Sequence, residues 1–201
     1  MGFLGEECTL RQKLFAFLVR RADGIVTVGK EEAARLTKRF PHLTDRIAYI
    51  PFGVDTSFFA PRPLVPETRT VLAAGIDPDR DWVTLYRACE GLNAEVIAAT
   101  RSRGEREVVV PTFVTRRLFP LKELVEAYAR ASVIVVPLDP HTGVNDAMGC
   151  TALFEAMAMG KAIVATDTHT MRSYITHGEN GLLVPPGDIE AMHTAIKSLL
   201  D

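Results

Sequence analysis

Short apolar runs alternate with amphipathic stretches along most of this chain. Many of the runs are apolar at consecutive positions, which is typical of strands buried on both faces of a sheet. The strand-like runs are residues 24–28, 46–50, 70–74, 95–99, 108–110, 133–136, 163–165 and 181–184. The stretches with helical spacing are residues 31–40, 82–90, 121–131, 151–159 and 189–200. This alternation predicts right-handed crossovers and therefore an α/β fold with a doubly wound parallel sheet of the Rossmann-like kind.

One proline-rich stretch, residues 51–66, interrupts the alternation. It contains four prolines together with Gly53, and neither a helical nor a strand period crosses it. Such a stretch predicts a linker between two units. Residues 55–201 then hold about five strand–helix units, enough for one Rossmann-like domain. Residues 1–54 are too few for a second domain of the same kind.

Composition is that of a soluble globular protein with a core of normal size. Apolar residues make up 47% of the 201 residues and charged residues 24%, and the net charge is −2. This balance gives no electrostatic basis for binding nucleic acid. The cysteines are odd in number and widely spaced, which indicates reduced thiols in a cytoplasmic protein rather than disulfides or a zinc site. They are Cys8, Cys89 and Cys150.

The most apolar N-terminal segment, residues 14–19, is much shorter than the ~18 residues of a membrane span. Basic residues stand on both sides of it, and the small-residue cleavage site of a secretory signal does not follow. Two interpretations are open. The segment is either a helix packed on its own domain, which we favour, or an amphipathic helix that contacts a membrane surface.

Residues 149–161 carry the strongest indication of chemistry. Gly149, Cys150 and Thr151 form a turn into an amphipathic helix, and Glu155 follows about one and a half turns later. The first backbone N–H groups of a helix have no partner within it and favour anions. A helix start of this kind with a carboxylate behind it predicts a site for a phosphorylated ligand, in particular a nucleotide.

Three segments together resemble a known family. They are IPFGVDTSFFAP at residues 50–61, CTALFEAMAMGKAIVATD at residues 150–167 and GENGLLVPPGD at residues 178–188. In this order they resemble the hinge, helix–strand and turn motifs of the retaining glycosyltransferases of group 1, sequence family 4, whose fold is GT-B. The resemblance extends from about residue 22 to the end of the chain, and the last two motifs are the most specific.

The resemblance implies a fold and an activity. A GT-B enzyme has two Rossmann-like domains, and this chain resembles the C-terminal, donor-binding domain preceded by the tail of the N-terminal, acceptor domain. The implied reaction moves a sugar, with retention, from a nucleoside diphosphate sugar to a carbohydrate or lipid-linked acceptor, without a metal or other cofactor. Most of the acceptor domain has no counterpart here. We therefore expect the isolated chain to be inactive, and its exposed surface to favour either a partner that supplies that domain or a homodimer.

Site residues follow from the family motifs. Glu155 corresponds to the second acid of an E-x7-E signature and is expected to accept hydrogen bonds from the donor ribose. The first acid, which contacts the transferred sugar, would stand at Ala147, so neighbouring Asp146 is the candidate replacement. The Gly149–Cys150–Thr151 turn is expected to hold the diphosphate. Gly53 of the hinge motif is assigned to the same donor site.

The loop after the strand at residues 70–74 departs from the family pattern. The family often has an arginine directly after the glycine and a lysine six positions after it, but Ile76 and Asp81 stand at these places. Arg80 is adjacent to the second position and is the candidate cation for the departing nucleoside diphosphate. The nearby Asp77-Pro78-Asp79 sequence is interpreted as turn chemistry rather than as a metal motif.

Two alternatives stay open. The absence of an acid at position 147 and the missing acceptor domain favour a non-catalytic nucleotide-sugar-binding module or one subunit of a split enzyme. A related GT-B nucleotide-sugar epimerase is disfavoured by the hinge and turn motifs. A serine hydrolase and a dinucleotide oxidoreductase have no motif support, because G-x-S-x-G and G-x-G-x-x-G are both absent from the sequence.

Overall fold

The computed structural model describes residues 10–62, 69–77, 79–101, 108–139 and 147–201. This part of the chain forms two compact units, which divide between Phe52 and Gly53. The assignment of residues 1–54 to the tail and hinge of an acceptor domain stays a prediction.

The first unit is small and has a core of only a few side chains. Its elements are α1 (Leu10–Val19), β1 (Ile25–Thr27), α2 (Lys30–Arg39), a 3-10 helix (Pro41–Arg46) and β2 (Ile47–Tyr49). The two strands pair in parallel. The buried core consists of Val19, Leu36, Phe40 and Leu43. Helix α1 packs on this core through one face, as we expected, but Leu14, Phe17 and Leu18 of the same helix are exposed.

The second unit contains a six-stranded sheet flanked by helices. Its elements are β3 (Thr70–Ala74), α3 (Trp82–Ala88), β4 (Glu95–Ala99), β5 (Val114–Arg117), α4 (Leu121–Arg130), β6 (Val133–Val136), α5 (Cys150–Ala158), β7 (Ala162–Thr166), α6 (His169–Arg172), β8 (Leu182–Val184) and α7 (Ile189–Leu200). The strand order is β5-β4-β3-β6-β7-β8, and every neighbouring pair is parallel. This order confirms the predicted doubly wound Rossmann-like sheet.

The side chains of β3 alternate between two cores, one on each face of the sheet. Leu72 and Ala74 join a core with α4 and α5, whereas Val71 and Ala73 join a core with α3 and α7. A strand that is buried on both faces has no position at which a polar side chain is favoured. This explains why β3 and β6 are apolar at nearly every residue.

The predicted strand at residues 108–110 is wrong. These residues have no regular structure, and the strand at this edge of the sheet is β5. Pro111 follows the valine run and has no N–H to donate to a ladder. Strand β5 alternates buried Val114 with exposed Thr115, which is the pattern of a strand at a sheet edge rather than of a central one. The short helix α6 was also not predicted, because only four residues and the Thr168 cap define it.

Asp188, which the Pro-Pro-Gly-Asp sequence predicts as an N-cap, caps α7. Its carboxylate accepts a hydrogen bond of 2.9 Å from the Ala191 N–H. Because α7 packs on the core through Met192 and Ile196, we expect Asp188→Ala to lower the free energy of unfolding by about 1 kcal/mol. Denaturant unfolding measures this change. Asp188→Asn keeps a capping oxygen and is the matched control, and an equal loss in both variants would contradict the capping role.

Candidate functional site

The candidate site lies where the strand order of the sheet reverses, at the carboxyl ends of β3 and β6. Crevices of this kind bind ligands in open α/β sheets. The two loops that leave these strands are joined by backbone hydrogen bonds. The Asp81 N–H donates to the Pro137 carbonyl at 3.2 Å, and the Asp139 N–H donates to the Asp79 carbonyl at 2.9 Å. These two bonds fix the backbone on either side of Arg80. Arg80 is therefore held at the carboxyl ends of β3 and β6, where the strand order reverses.

The Arg80 side chain is almost completely buried. Only 2% of its side chain is exposed, and its Nε and Nη2 atoms both lie 3.1 Å from Asp77 Oδ2. Gly75 makes room for the guanidinium, because a Cβ at position 75 would lie 2.5 Å from Arg80 Cζ. The competing interpretation, that Arg80 is an ordinary surface cation, is therefore wrong, while its role toward a diphosphate stays a prediction. Arg80 is a cation enclosed within the loop, and Asp77 serves to hold it there.

One nitrogen of this guanidinium has no partner among the described residues. Arg80 Nη1 is buried and makes no hydrogen bond within the part of the chain that the structure describes. An unsatisfied buried donor costs roughly 1–3 kcal/mol, and more for a charged group. A ligand oxygen that accepted a hydrogen bond from Nη1 would remove this cost.

Helix α5 begins beside this arginine. Gly149 is its N-cap residue, with φ 78°, and as a glycine it has no side chain that could cap the helix. A Cβ at position 149 would lie 2.8 Å from Val136 Cγ1 and 3.2 Å from the Leu138 methyl carbons. The glycine is therefore required by its left-handed backbone and by its packing on the end of β6. Cys150 is buried and Thr151 is exposed, so of these two side chains only that of Thr151 is accessible.

Glu155 is buried in the second turn of α5, with 7% of the residue exposed. It is therefore not a solvated carboxylate of a surface helix. Burial raises its pKa, and the nearby Tyr128 hydroxyl and the positive charge of Arg80 act in the opposite direction. The structure thus groups three residues, which we call the Arg80–Tyr128–Glu155 cluster, although they come from three separate segments of the chain.

Tyr128 was not found by sequence reasoning. It lies in α4, where apolar residues recur at helical spacing, and in such a stripe a tyrosine is indistinguishable from a core aromatic residue. Its side chain is fully buried, and burial together with the Glu155 carboxylate raises its pKa well above the ordinary value. The hydroxyl therefore keeps its proton and acts as a donor.

The remaining predictions concern Gly53, Asp146 and a metal site. Gly53 is exposed, and a Cβ there would contact nothing within 4 Å, so its assignment to the donor site stays a prediction. Asp146 lies outside the described residues. Within the described ranges, no group of three or more His, Cys, Asp or Glu residues could hold a metal ion. Asp77 of the Asp77-Pro78-Asp79 sequence is instead the partner of Arg80.

Each of the other two family motifs contains a polar side chain that hydrogen-bonds to nearby backbone groups. In the hinge motif, Asp55 Oδ1 accepts hydrogen bonds from the N–H groups of Ser57 and Phe58, and the turn that it holds leads into Phe59. In the turn motif, Asn180 Oδ1 accepts from the Thr176 N–H and its amide donates to the Tyr174 carbonyl. Both polar side chains thus stabilise local backbone conformation.

None of the helices in the described ranges combines the length and the apolarity that crossing a bilayer requires.

Comparison with known proteins gives matches to glycosyltransferases. Residues 69–201 match the family model described as "Glycosyl transferases group 1". The chain is 32% identical to a phosphatidyl-myo-inositol mannosyltransferase of Mycolicibacterium smegmatis, over 76% of this chain and 42% of that protein. It is 28% identical to the lipopolysaccharide core biosynthesis mannosyltransferase LpsB of Rhizobium meliloti, over 92% of this chain and 57% of that protein. The chain thus spans about half the length of these curated relatives.

Among solved structures, HepE of Anabaena, determined in complex with UDP-glucose, is similar to this chain. The TM-score is 0.73 at 17% sequence identity, and the match covers the whole of this chain and 61% of HepE. At this identity the match shows a shared fold.

Proposed function

Since this chain belongs to the glycosyl transferases of group 1, we propose that its six-stranded sheet carries the binding site for a nucleoside diphosphate sugar. One observation supports this most directly. At the strand-order switch point, helix α5 begins near a buried arginine whose Nη1 has no partner among the described residues. Both features offer N–H donors and positive potential to the same kind of ligand, an anion with several oxygens.

In this proposal different residues bind the diphosphate and the ribose of the donor. The N–H groups at Gly149, Cys150 and Thr151 and the guanidinium of Arg80 bind the diphosphate. Glu155 accepts hydrogen bonds from the ribose hydroxyls, for which a buried and oriented carboxylate is suited. Asp146 and Gly53 complete the donor site, with Asp146 contacting the transferred sugar.

The proposed reaction is transfer of the sugar to a carbohydrate or lipid-linked acceptor with retention of the anomeric configuration, as in sequence family 4. The bond between the sugar C1 and the diphosphate oxygen breaks, and the acceptor oxygen bonds to C1 from the same face. The acceptor proton passes to the departing diphosphate. Arg80 and the α5 N terminus stabilise the negative charge that develops there, so that transfer needs no bound metal.

Glu155→Gln tests the ribose assignment. Glutamine has a similar shape and keeps one acceptor, so we expect it to weaken binding of the matching donor by about tenfold through loss of a charged hydrogen-bond partner. Isothermal titration calorimetry with UDP-glucose, GDP-mannose and ADP-glucose measures the affinity. The parent should bind the 2′-deoxy form of its nucleotide more weakly than the ribose form, and this difference should be lost in Glu155→Gln.

Stability provides a second readout for the same variant. The pKa of Glu155 is raised by folding, so its contribution to stability is fully present below its unfolded pKa and is lost as the pH rises through its folded pKa. At pH 7 the ionised form therefore lowers stability, and we expect Glu155→Gln to unfold at the same or a higher denaturant concentration than the parent. Glu126→Gln, an exposed carboxylate on α4, is the control. Ligand affinity and ribose preference that match the parent would rule out this role for Glu155.

Ala147 favours a second candidate function. Without an acid at the first position of the E-x7-E signature, the chain would bind a nucleotide sugar without transferring it, either as a binding module or as one subunit of a split enzyme. Because we expect the isolated chain to be inactive in either case, the two candidates differ in turnover only when an acceptor domain is supplied. The binding module then still binds donor in the calorimeter but releases no nucleoside diphosphate when acceptor sugars are added.

A further inference from the structure

Strand β6 separates from β7 at its carboxyl end, and a threonine side chain lies at the point of separation. The ladder between the two strands ends at the pair Val136 and Ala165. Continued in register, the next pair would be Pro137 and Thr166, but a proline has no N–H to donate. The N–H of the following residue, Leu138, donates instead to Thr166 Oγ1 at 2.8 Å. A side chain thus provides the acceptor where the main-chain ladder stops.

This hydrogen bond is enclosed in the protein. Leu138 and Thr166 are each only 1% exposed, so water cannot replace either partner. A buried N–H that lacks an acceptor is strongly unfavourable. The Thr166 hydroxyl therefore fixes the backbone of Leu138 relative to the end of β7.

On its other side, Leu138 faces Arg80. The two residues form an antiparallel bridge, which is closed by the main-chain hydrogen bonds between residues 79–81 and residues 137–139. In such a pair the two facing residues exchange no hydrogen bond with each other, so the Leu138 N–H points to the opposite side, toward β7. Leu138 is thus held from both sides, and the backbone of Arg80 is tied through it to Thr166.

Leu138 also contacts the start of α5. A Cβ at position 149 would lie 3.2 Å from its methyl carbons, so the leucine side chain packs directly against Gly149. One residue therefore adjoins both groups that we assign to the diphosphate: the Arg80 loop through its backbone, and the helix start through its side chain. The distance between the guanidinium and the first N–H groups of α5 depends on where Leu138 lies.

We propose that Thr166 is a positioning residue for the diphosphate part of the donor site. Its hydroxyl oxygen fixes Leu138, and Leu138 fixes the backbone of Arg80 relative to the start of α5. This inference rests on the proposed donor site and adds to it a residue at the end of a further strand, β7. Thr166 acts through the backbone and does not contact the ligand.

Thr166→Val tests the role of the hydroxyl in binding. Valine is close to threonine in shape but offers no acceptor to the Leu138 N–H. We expect the affinity for the matching nucleoside diphosphate, measured by calorimetry of the full chain with UDP, GDP and ADP, to fall by about fivefold to tenfold. Thr166→Ser keeps the hydroxyl and should bind within about twofold of the parent, although the lost methyl group lowers its urea midpoint. Equal weakening in both variants, or none in Thr166→Val, would overturn the proposal.

The matched control is Thr70→Val. Thr70 is as buried as Thr166, but it begins β3 and therefore lies at the opposite end of the sheet. Its hydroxyl donates to Glu95 Oε2 at 3.4 Å, so this substitution also removes a hydroxyl hydrogen bond. We expect a lower urea midpoint with unchanged nucleotide affinity. A loss of affinity as large as that of Thr166→Val would show that binding merely follows stability, and it would contradict positioning.

The Arg80 Nε–H signal in the ¹H–¹⁵N NMR spectrum tests the positioning without a ligand. The signal is identified by its loss in Arg80→Met, and its hydrogen bond to Asp77, 3.1 Å long, makes it sensitive to the conformation of the loop. It should shift in Thr166→Val but stay in place in Thr166→Ser and Thr70→Val, and an unshifted signal would refute the coupling through Leu138. A shift in Thr166→Val, together with a parent that binds no nucleotide, would support the positioning and refute the donor site.

Hydrogen exchange in the parent keeps the proposal testable even if Thr166→Val does not fold. The Leu138 amide should exchange about as slowly as the amides of the central strand β6, because it is buried and bonded. Exchange as fast as that of an exposed loop amide would show that Thr166 does not hold this backbone, and the proposal would fail.

Discussion

Gly149→Ala is expected to lower the free energy of unfolding by about 2–5 kcal/mol, the sum of the costs of a left-handed alanine and of an overpacked core. The backbone of Gly149 has φ 78°, which an L-residue adopts only at a penalty. The added methyl would also lie 2.8 Å from a methyl of Val136, at the end of a central strand. Equilibrium denaturation in urea measures the loss, and the midpoint should fall with little change in slope.

Gly160→Ala separates the backbone cost of this substitution from its packing cost. Gly160 also has a left-handed backbone, φ 65°, but a Cβ there would meet nothing within 4 Å. It should therefore show only the backbone cost, about 1–2 kcal/mol. If the two variants lose the same stability, the packing of Gly149 on β6 contributes nothing and the contact argument fails.

Arg80→Met is expected to weaken nucleotide binding without lowering the free energy of unfolding. Truncating one partner of a buried, charged hydrogen bond to a ligand typically costs 2–5 kcal/mol, so we expect the affinity for the matching nucleoside diphosphate to fall by at least about thirtyfold. The free energy of unfolding should stay within about 1 kcal/mol of the parent value or rise, because methionine fills the space and no buried donor is left unsatisfied. Asp77, whose side chain is 37% exposed, can be solvated once its partner is gone.

Calorimetry and denaturation on the same preparation measure both quantities. Arg87→Met removes an equal charge from an exposed position on α3 and is the control for long-range electrostatics. Arg80→Lys keeps the charge but loses the planar fork, and it should bind with intermediate affinity. If Arg80→Met binds the nucleotide as tightly as the parent, the guanidinium is only a structural group and the diphosphate lies elsewhere.

The sheet was predictable because it is buried. Strands such as β3 and β6 have no solvent-facing positions, so the sequence shows them as unbroken apolar runs. The Asp188 cap was equally visible, because capping depends on residues close in sequence. The edge strand β5 could not be predicted, because one of its faces is exposed to water. Its sequence, Val-Thr-Arg-Arg, therefore has the composition of a polar loop.

The site was predictable only in part. Glu155 was identified through a family motif, and its burial agrees with a binding role. The burial of Arg80 was not predictable, because an arginine in an acidic turn resembles a surface residue until its contacts with Gly75 and Asp77 are known. Tyr128 was missed because Ala152, whose carbonyl accepts its hydroxyl hydrogen bond, lies on another helix, and no local pattern marks such a contact.

The hydrogen bonds that join residues 79–81 to residues 137–139 have an evolutionary consequence. They connect main-chain atoms, and the geometry of a main-chain bond hardly depends on which side chain the donor carries, provided that Asp81 and Asp139 are not replaced by proline. Substitutions in these loops can therefore accumulate while the framework beneath them keeps its shape. Such tolerance would allow Ile76 and Asp81 to stand in this loop without loss of the sheet architecture.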